Sequence, residues 1–256
     1  MSETWRTDFA DAPPFAPLNP WSARLASDTW PGLASLNDLA EDARLTNADG
    51  LPVRFQRQTR RCGQRDYEAG ILATGAVPTR EDNWHDLLNA LCWLAFPGTK
   101  AELNRIQCRA ITPGRPRGPV SDAATLFDES GLVLAGPNAE LGHLLAERRW
   151  HEAFVTHRST WARTRAFVIG HAVLEKLLQP WPGITAKCLF LPLEPAHGAE
   201  VQTEVDDRVA ALWRGGAIAR PGQLFPMPVL GIPGWWPANE DADFYADRNV
   251  FRSARA

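Results

Sequence analysis

His85, Asp86 and Asn89 stand within a few residues of one another in the stretch TREDNWHDLLNALCWLAFPGTK, residues 79–100. An imidazole, a carboxylate and a carboxamide at this spacing share neighbouring helical turns, where they could hold a metal ion, position a water or relay a proton. On a helical wheel Trp84, Leu87, Leu88, Leu91, Leu94 and Ala95 make one broad apolar face. Asp82, His85, Asp86 and Asn89 occupy the opposite arc, which turns apolar at Cys92, Trp93 and Phe96. A helix buried all round in its second half penetrates a domain, so its polar first half is expected to face a semi-enclosed space. A buried hydrogen-bond network would use the same residues, and the helix pattern alone slightly favours that plainer reading.

A second group is Gly170-His171-x-x-x-Glu175. His171 opens a helix directly after a strand, where the helix dipole favours the neutral ring, and Glu175 follows one turn on. A His-x3-Glu pair suits metal binding or acid/base work. His171 also borders the apolar face of Val173, Leu174, Leu177 and Leu178, where a structural histidine is ordinary. The candidate catalytic set is thus His85, Asp86, Asn89, His171 and Glu175, with a divalent metal as candidate cofactor. Arg80, Asn83, Trp93, Lys100 and Asn104 are the candidate substrate contacts. Asp86 is expected to serve His85 as carboxylate partner or co-ligand, and Asn83 and Asn89 to orient substrate or water. A third group, Asp128-Glu129-Ser130-Gly131 with Asp122 and Lys187, loosely matches an acid-acid-lysine set, but turn chemistry accounts for it.

Residues 54–65 hold five arginines, and residues 147–167 interleave five more with aromatics. Such segments could stack and neutralise a single-stranded nucleic acid. The formal net charge of −3 argues against a general attraction to nucleic acid or anionic membranes. Four scattered cysteines form no C-x-x-C pair, which removes zinc-ribbon and thioredoxin readings. They fit reduced, mostly buried thiols. The first residues lack the apolar core of a signal peptide, and no apolar run reaches membrane-spanning length, so a cytoplasmic location is expected.

The elements that must position these groups read as a helix-rich α+β mixture in one domain. Residues 1–20, rich in proline, are expected to form an extended arm, and residues 21–256 the globular domain. Ser35 is expected to cap a helix reaching about Asn47. Residues 52–56 and 67–74 read as short strands. Thr79-x-x-Asp82 and Thr99-x-x-Glu102 read as capping boxes for two helices joined by a tight corner at Pro97-Gly98. Residues 112–121 form a proline- and glycine-rich linker. A helix end, a turn at residues 129–131 and a strand follow. Residues 138–161 read as broken helix, residues 165–169 and 187–191 as strands, and Thr203 as the cap of a helix ending at Gly215-Gly216. Residues 220–256, dense in proline and tryptophan, must wrap and pack, since that much exposed aromatic surface is unusual.

No P-loop, dinucleotide fingerprint, nucleophile elbow or H-E-x-x-H zinc motif is present in the sequence. The stretches NWHDLLNALCWLAFPGTKAELN, FDESGLVL, GHAVLEKLLQPWPGITAK and PMPVLGIPGWWPAN with FYADRNVFR together resemble the bacterial family of unknown function DUF3025, from about residue 50 to the end. The resemblance implies a soluble bacterial protein and brings no activity with it. It selects the segments that carry His85, Asn89, His171 and Glu175, which raises the expectation that they share one site. The expected function is hydrolysis of a small polar or phosphorylated molecule, with nucleic acid a less favoured substrate. The alternative is a non-catalytic protein that binds a protein or nucleic acid through the arginine and aromatic segments. The two differ in space: catalysis requires His85 and His171 to converge within hydrogen-bond reach.

Overall fold

The computed structural model describes residues 4–59, 63–109, 118–194 and 199–253. The N-terminal residues run as short 3-10 turns through Asp8–Asp11 and Pro13–Leu18 into a single helical turn, α1 (Asn19–Ser22). This corrects the expected extended arm. Prolines fix φ at values that tight turns accept, and the turns bury Phe9, Phe15 and Leu18. Trp5 and Trp30 close over Trp84 at 5.1 and 5.0 Å between rings, so this segment is part of the core.

Helix α2 (Leu33–Asp42) starts after Gly32, not at Ser35, and ends five residues before Asn47. Asn47 instead organises the following turn, accepting from the backbone of Asp49 and Leu51 and donating to Ile71 and Leu72. Strand β1 (Arg54–Arg57) comes next. Residues 67–74, read as a strand, belong to helix α3 (Gln64–Thr74). Gly75 ends that helix at φ +74°, with the position of a Cβ only 2.1 Å from the Pro52 carbonyl oxygen. Only glycine fits this left-handed close approach. Strand β2 (Ala76–Thr79) then pairs in parallel with β1.

Helix α4 (Trp84–Ala95) is capped by Asn83, whose side chain accepts from the Asp86 N–H at 3.1 Å; Thr79 lies in β2 and caps nothing. Helix α5 (Pro97–Arg109) turns off α4 at the expected corner. Its first-turn amides are not served by a local box. Asp206 accepts from Gly98 and Thr99 N–H at 2.8 Å each, while Glu102 pairs with Arg105 and Arg214. Of the expected linker, residues 112–117 lie outside the described residues, and Pro119 already opens helix α6 (Pro119–Ser130).

Strand β3 (Gly131–Gly136) is buried at every position, as its unbroken apolar run requires of a central strand. Helix α7 (Ala139–Ala146) is capped by Asn138, and the helical stretch breaks at Arg148, φ +59°. Then come β4 (Arg165–Val168), α8 (His171–Leu177), β5 (Thr185–Pro192), α9 (Ala199–Arg214) and β6 (Phe225–Pro228). Thr203 sits within α9 and is not its cap. The main sheet has the order β4-β3-β5-β6, with β3 and β5 parallel and the outer pairs antiparallel. The result is a helix-rich α+β fold forming a single compact domain.

The C-terminal tail packs as its composition demands. Phe154 stacks on Trp161 and Tyr245 at 5.1 and 4.8 Å, and Tyr245 donates its hydroxyl hydrogen to the Gly231 carbonyl. No helix among the described residues is long and apolar enough to cross a membrane.

Candidate functional site

Helices α3, α4, α5, α6 and α8 surround a polar cavity of about 450 Å³. Helix α4 contributes His85, Asn89 and Trp93, one turn apart, on the face that the wheel left polar. Helix α8 crosses α4 and brings His171 to His85: the two Nε2 atoms are 3.1 Å apart, with the rings at 76°. On the far side of His85, Nδ1 lies 2.8 Å from a Glu175 carboxylate oxygen. From the end of α6, Glu129 approaches His171 Nε2 at 3.7 Å. Residues about ninety positions apart in sequence thus make one constellation.

This placement depends on close backbone approach where α6 meets β3. Gly170, just before His171, lies against Ser130 and Gly131. Its N–H and that of Ile169 both donate to the Gly131 carbonyl at 2.9 Å, and a Cβ on residue 170 would stand 2.4 to 2.5 Å from the Ser130 and Gly131 backbone. His171 and Glu129 are therefore neighbours because the end of α6 and the start of α8 touch.

The deeper wall is built around Lys100, 3% exposed. It forms an ion pair with Asp128, donates to Asn89 Oδ1 at 2.8 Å and lies over the Trp93 ring. Asn89 in turn donates to the Tyr67 hydroxyl at 3.1 Å. Burial works against both charges of the pair, but each stabilises the other. The ammonium is held above its ordinary range and the Asp128 carboxyl below its own. Burial, and then the Asp128 charge, push Glu129 up. Burial, and then the Lys100 charge, lower His171 to about 3, so its ring is neutral near pH 7. Burial also raises Tyr67, which stays protonated.

Glu68 is held by Asn104, which donates to its carboxylate at 2.7 Å. Burial, with the Asp128 charge adding to it, raises Glu68 from its ordinary 4.5 to about 7. Between those values the folded chain holds a proton that the unfolded chain has released, so this group's contribution to stability falls as pH rises from 4.5 through 7. Glu68→Gln is accordingly expected to match the wild type near pH 5. By about pH 8 it should be more stable by on the order of 2–3 kcal/mol, because glutamine never ionises. Urea unfolding of both chains at the two pH values measures this. A constant offset would show that Glu68 is already ionised at the lower pH.

The structure brings His85, Asn89, Trp93, Lys100, Asn104 and His171 to the cavity wall, with Glu175 behind His85. Asp86 also reaches the wall, but it does not serve His85. Its carboxylate accepts from the backbone N–H of Arg80 at 2.6 Å and from the Arg80 guanidinium at 2.7 and 3.0 Å. Glu175 takes the place expected of Asp86. Asn83 is a helix cap outside this cavity, and Arg80 lies at the rim, fastened to Asp86. Asp128 and Glu129 were singled out in the sequence as a third group and set aside as turn chemistry, and Tyr67 and Glu68 went unrecognised because they fall in the segment read as a strand. An acidic residue inside the otherwise apolar run YEAGIL was the available signal for Glu68.

The arginine-rich segments are largely engaged with the protein itself. Arg149 pairs with Glu152 and Glu147, Arg163 with Glu194, Arg158 with Glu240 and Tyr245, and Arg57 with Glu81. Arg60 and Arg61 lie outside the described residues. Cys92 and Cys188 are buried, and burial raises both thiols far from reactivity; Cys108 is half-buried and free, and Cys62 lies outside the described residues.

The model of a family described as a protein of unknown function, DUF3025, matches residues 53–255. The chain belongs to that family, and the match takes in every residue of the constellation. No curated protein and no solved structure matches the chain at a significant level.

Proposed function

We propose that this chain is a hydrolase that activates water where His85, His171 and Glu129 converge, and that its substrate is a small polar molecule held in the adjoining cavity. The observation that carries the reading is the approach of the two Nε2 atoms to 3.1 Å, with Glu175 fixing the far side of the His85 ring. A carboxylate on one imidazole nitrogen directs the other towards a reacting group, as an orienting acid does in known acid/base sites.

The deep wall favours a neutral, hydrogen-bonding substrate. Lys100 is already balanced by Asp128, so it offers little net charge to a phosphoryl group. Asn104 Oδ1 is buried without a partner, which suits a hydroxyl or amide donor on the ligand.

Purified wild type and His85→Ala should be compared on chromogenic esters, amides, glycosides and phosphate esters. Wild type is expected to hydrolyse one of these classes, and His85→Ala to lose about 10²–10⁴-fold of that rate. Equal rates in both chains, or no turnover of any class by wild type, would remove the reading.

A further inference from the structure

We propose that His85 Nε2, His171 Nε2 and a Glu129 carboxylate oxygen form the binding site of a divalent first-row transition-metal ion, with Glu175 as the outer partner of His85. The inference rests on the hydrolase reading only for the use to which the ion is put.

The three ligand atoms lie within 4.8 Å of one another. Two imidazole nitrogens on a common ion at about 2.0–2.1 Å stand roughly 3.0 Å apart at a right angle and 3.4 Å apart at a tetrahedral one. The observed 3.1 Å falls between these. Glu129 needs only a small inward swing from its 3.7 Å approach to His171, and its side chain is partly exposed and long enough to make it. Two histidines and one carboxylate leave coordination positions open towards the cavity, the pattern of catalytic sites.

The ring chemistry points the same way. Glu175 accepts the Nδ1 proton of His85, which leaves the Nε2 lone pair bare. His171 Nδ1 is buried with no hydrogen-bond partner among the described residues, so the polar contacts of this ring are made through Nε2, to His85 and Glu129. A cation held among these three atoms would take a lone pair from each. A carboxylate behind a ligating histidine is also the usual outer partner of metal-bound imidazole.

Charge supplies an independent argument. The cavity wall carries four carboxyl groups, Glu68, Asp86, Asp128 and Glu129, against two basic side chains, Lys100 and Arg80, each already paired with one of them. That leaves Glu129, beside the two imidazoles, as a carboxylate without a basic partner among the described residues, and a cation there would supply one. Nitrogen ligands favour a zinc- or cobalt-like ion over magnesium or calcium, which prefer all-oxygen shells. An ion there would acidify a water on its open face, supplying the hydroxide that the proposed hydrolysis needs.

The test is metal uptake by the full chain, stripped with a chelator and titrated with Zn²⁺ and Co²⁺, with Mg²⁺ as the contrast. Wild type is expected to bind about one equivalent, Co²⁺ giving visible d–d absorption, and to ignore Mg²⁺ at the same concentration. Glu129→Gln and His171→Asn should weaken uptake more than about 100-fold, and Glu175→Gln about 10–100-fold. Circular dichroism melts of each variant establish that it is folded; Glu129→Gln, at a partly exposed position, carries the test should a histidine variant fail to fold. No uptake of Zn²⁺ or Co²⁺ at about 100 µM, or uptake unchanged in a folded Glu129→Gln, overturns the site. Hydrolysis by the stripped chain that is lost in His85→Ala would overturn the metal's role and leave the hydrolase standing. Uptake without turnover of any substrate would uphold the site and remove the hydrolase.

Discussion

Lys100→Met is expected to destabilise the chain by about 3–5 kcal/mol, the characteristic loss when one partner of a buried ion pair is removed. Lys100 is buried and Asp128 is mostly so, with its side chain 17% exposed, and Lys100 also satisfies Asn89 and lies over Trp93. Methionine fills a similar volume, so the loss reports charge and hydrogen bonds more than packing. Without the ammonium, Asp128 either stays ionised in a low-dielectric wall or takes up a proton. The sign of the pH dependence follows. In the wild type Lys100 keeps the Asp128 carboxyl below its ordinary value. In the variant burial, the largest influence on this carboxyl, loses its main opponent and is expected to carry it above. The folded variant then binds a proton that the unfolded chain has lost, and its stability falls as pH rises above the ordinary carboxylate range. The deficit against wild type should therefore be smallest in acid and widen towards neutrality. Lys100→Met with Asp128→Leu should recover most of the loss, since an apolar pair replaces a buried ion pair at little cost. Urea unfolding of the two single variants and the double variant decides this. A double variant no better than Lys100→Met would show that the ion pair is not the source of the loss.

Gly170→Ala is expected to cost about 3 kcal/mol, at the upper end for overpacking, because the contacts are with backbone. The added methyl meets the Ser130 and Gly131 main chain at 2.4 to 2.5 Å, and neither can swing away as a flexible side chain would. The second consequence is local. Separating this crossing separates His171 from Glu129, so Co²⁺ absorption should disappear along with the stability. Gly222→Ala is the control: a Cβ there meets nothing within 4 Å, and its stability should stay within about 0.5 kcal/mol of wild type. Normal cobalt binding by Gly170→Ala would mean that the His171–Glu129 approach does not depend on this crossing.

The candidate site was half legible in the sequence. His85, Asn89 and His171 stood out because each interrupts or borders an apolar helical face, and that periodicity is local. Their convergence was not legible, because it arises from α8 crossing α4 about ninety residues later. Asp128 and Glu129 were noticed but discounted for the opposite reason: acids before Ser-Gly are ordinary turn residues, and only the touch between residues 130 and 170 gives them a task. The misread elements follow the same division. Tyr67 to Thr74 has aromatic and β-branched residues that suit a strand, yet Gly63 and Gly75 bracket it as a helix, and packing of Glu68 and Ile71 fixes that choice. Thr99 had the local spacing of a cap, but Asp206 reached its amide from α9, a contact that short-range pattern cannot reveal. Buried continuous runs such as GLVLAG were read correctly because their composition alone demands a central strand.

The position of β3 sets the order in which the chain can be completed as it leaves the ribosome. Both neighbours of this fully buried strand, β4 and β5, are encoded after it, and the amides that open α5 wait for Asp206. A nascent chain that has emerged only as far as β3 carries His85, Lys100 and Glu129 but has neither His171 nor the pairing strands. Its apolar β3 segment is therefore without β4 until about thirty further residues have been made, and without β5 until more than fifty have, an interval in which slow, non-local pairing leaves it open to association with other chains.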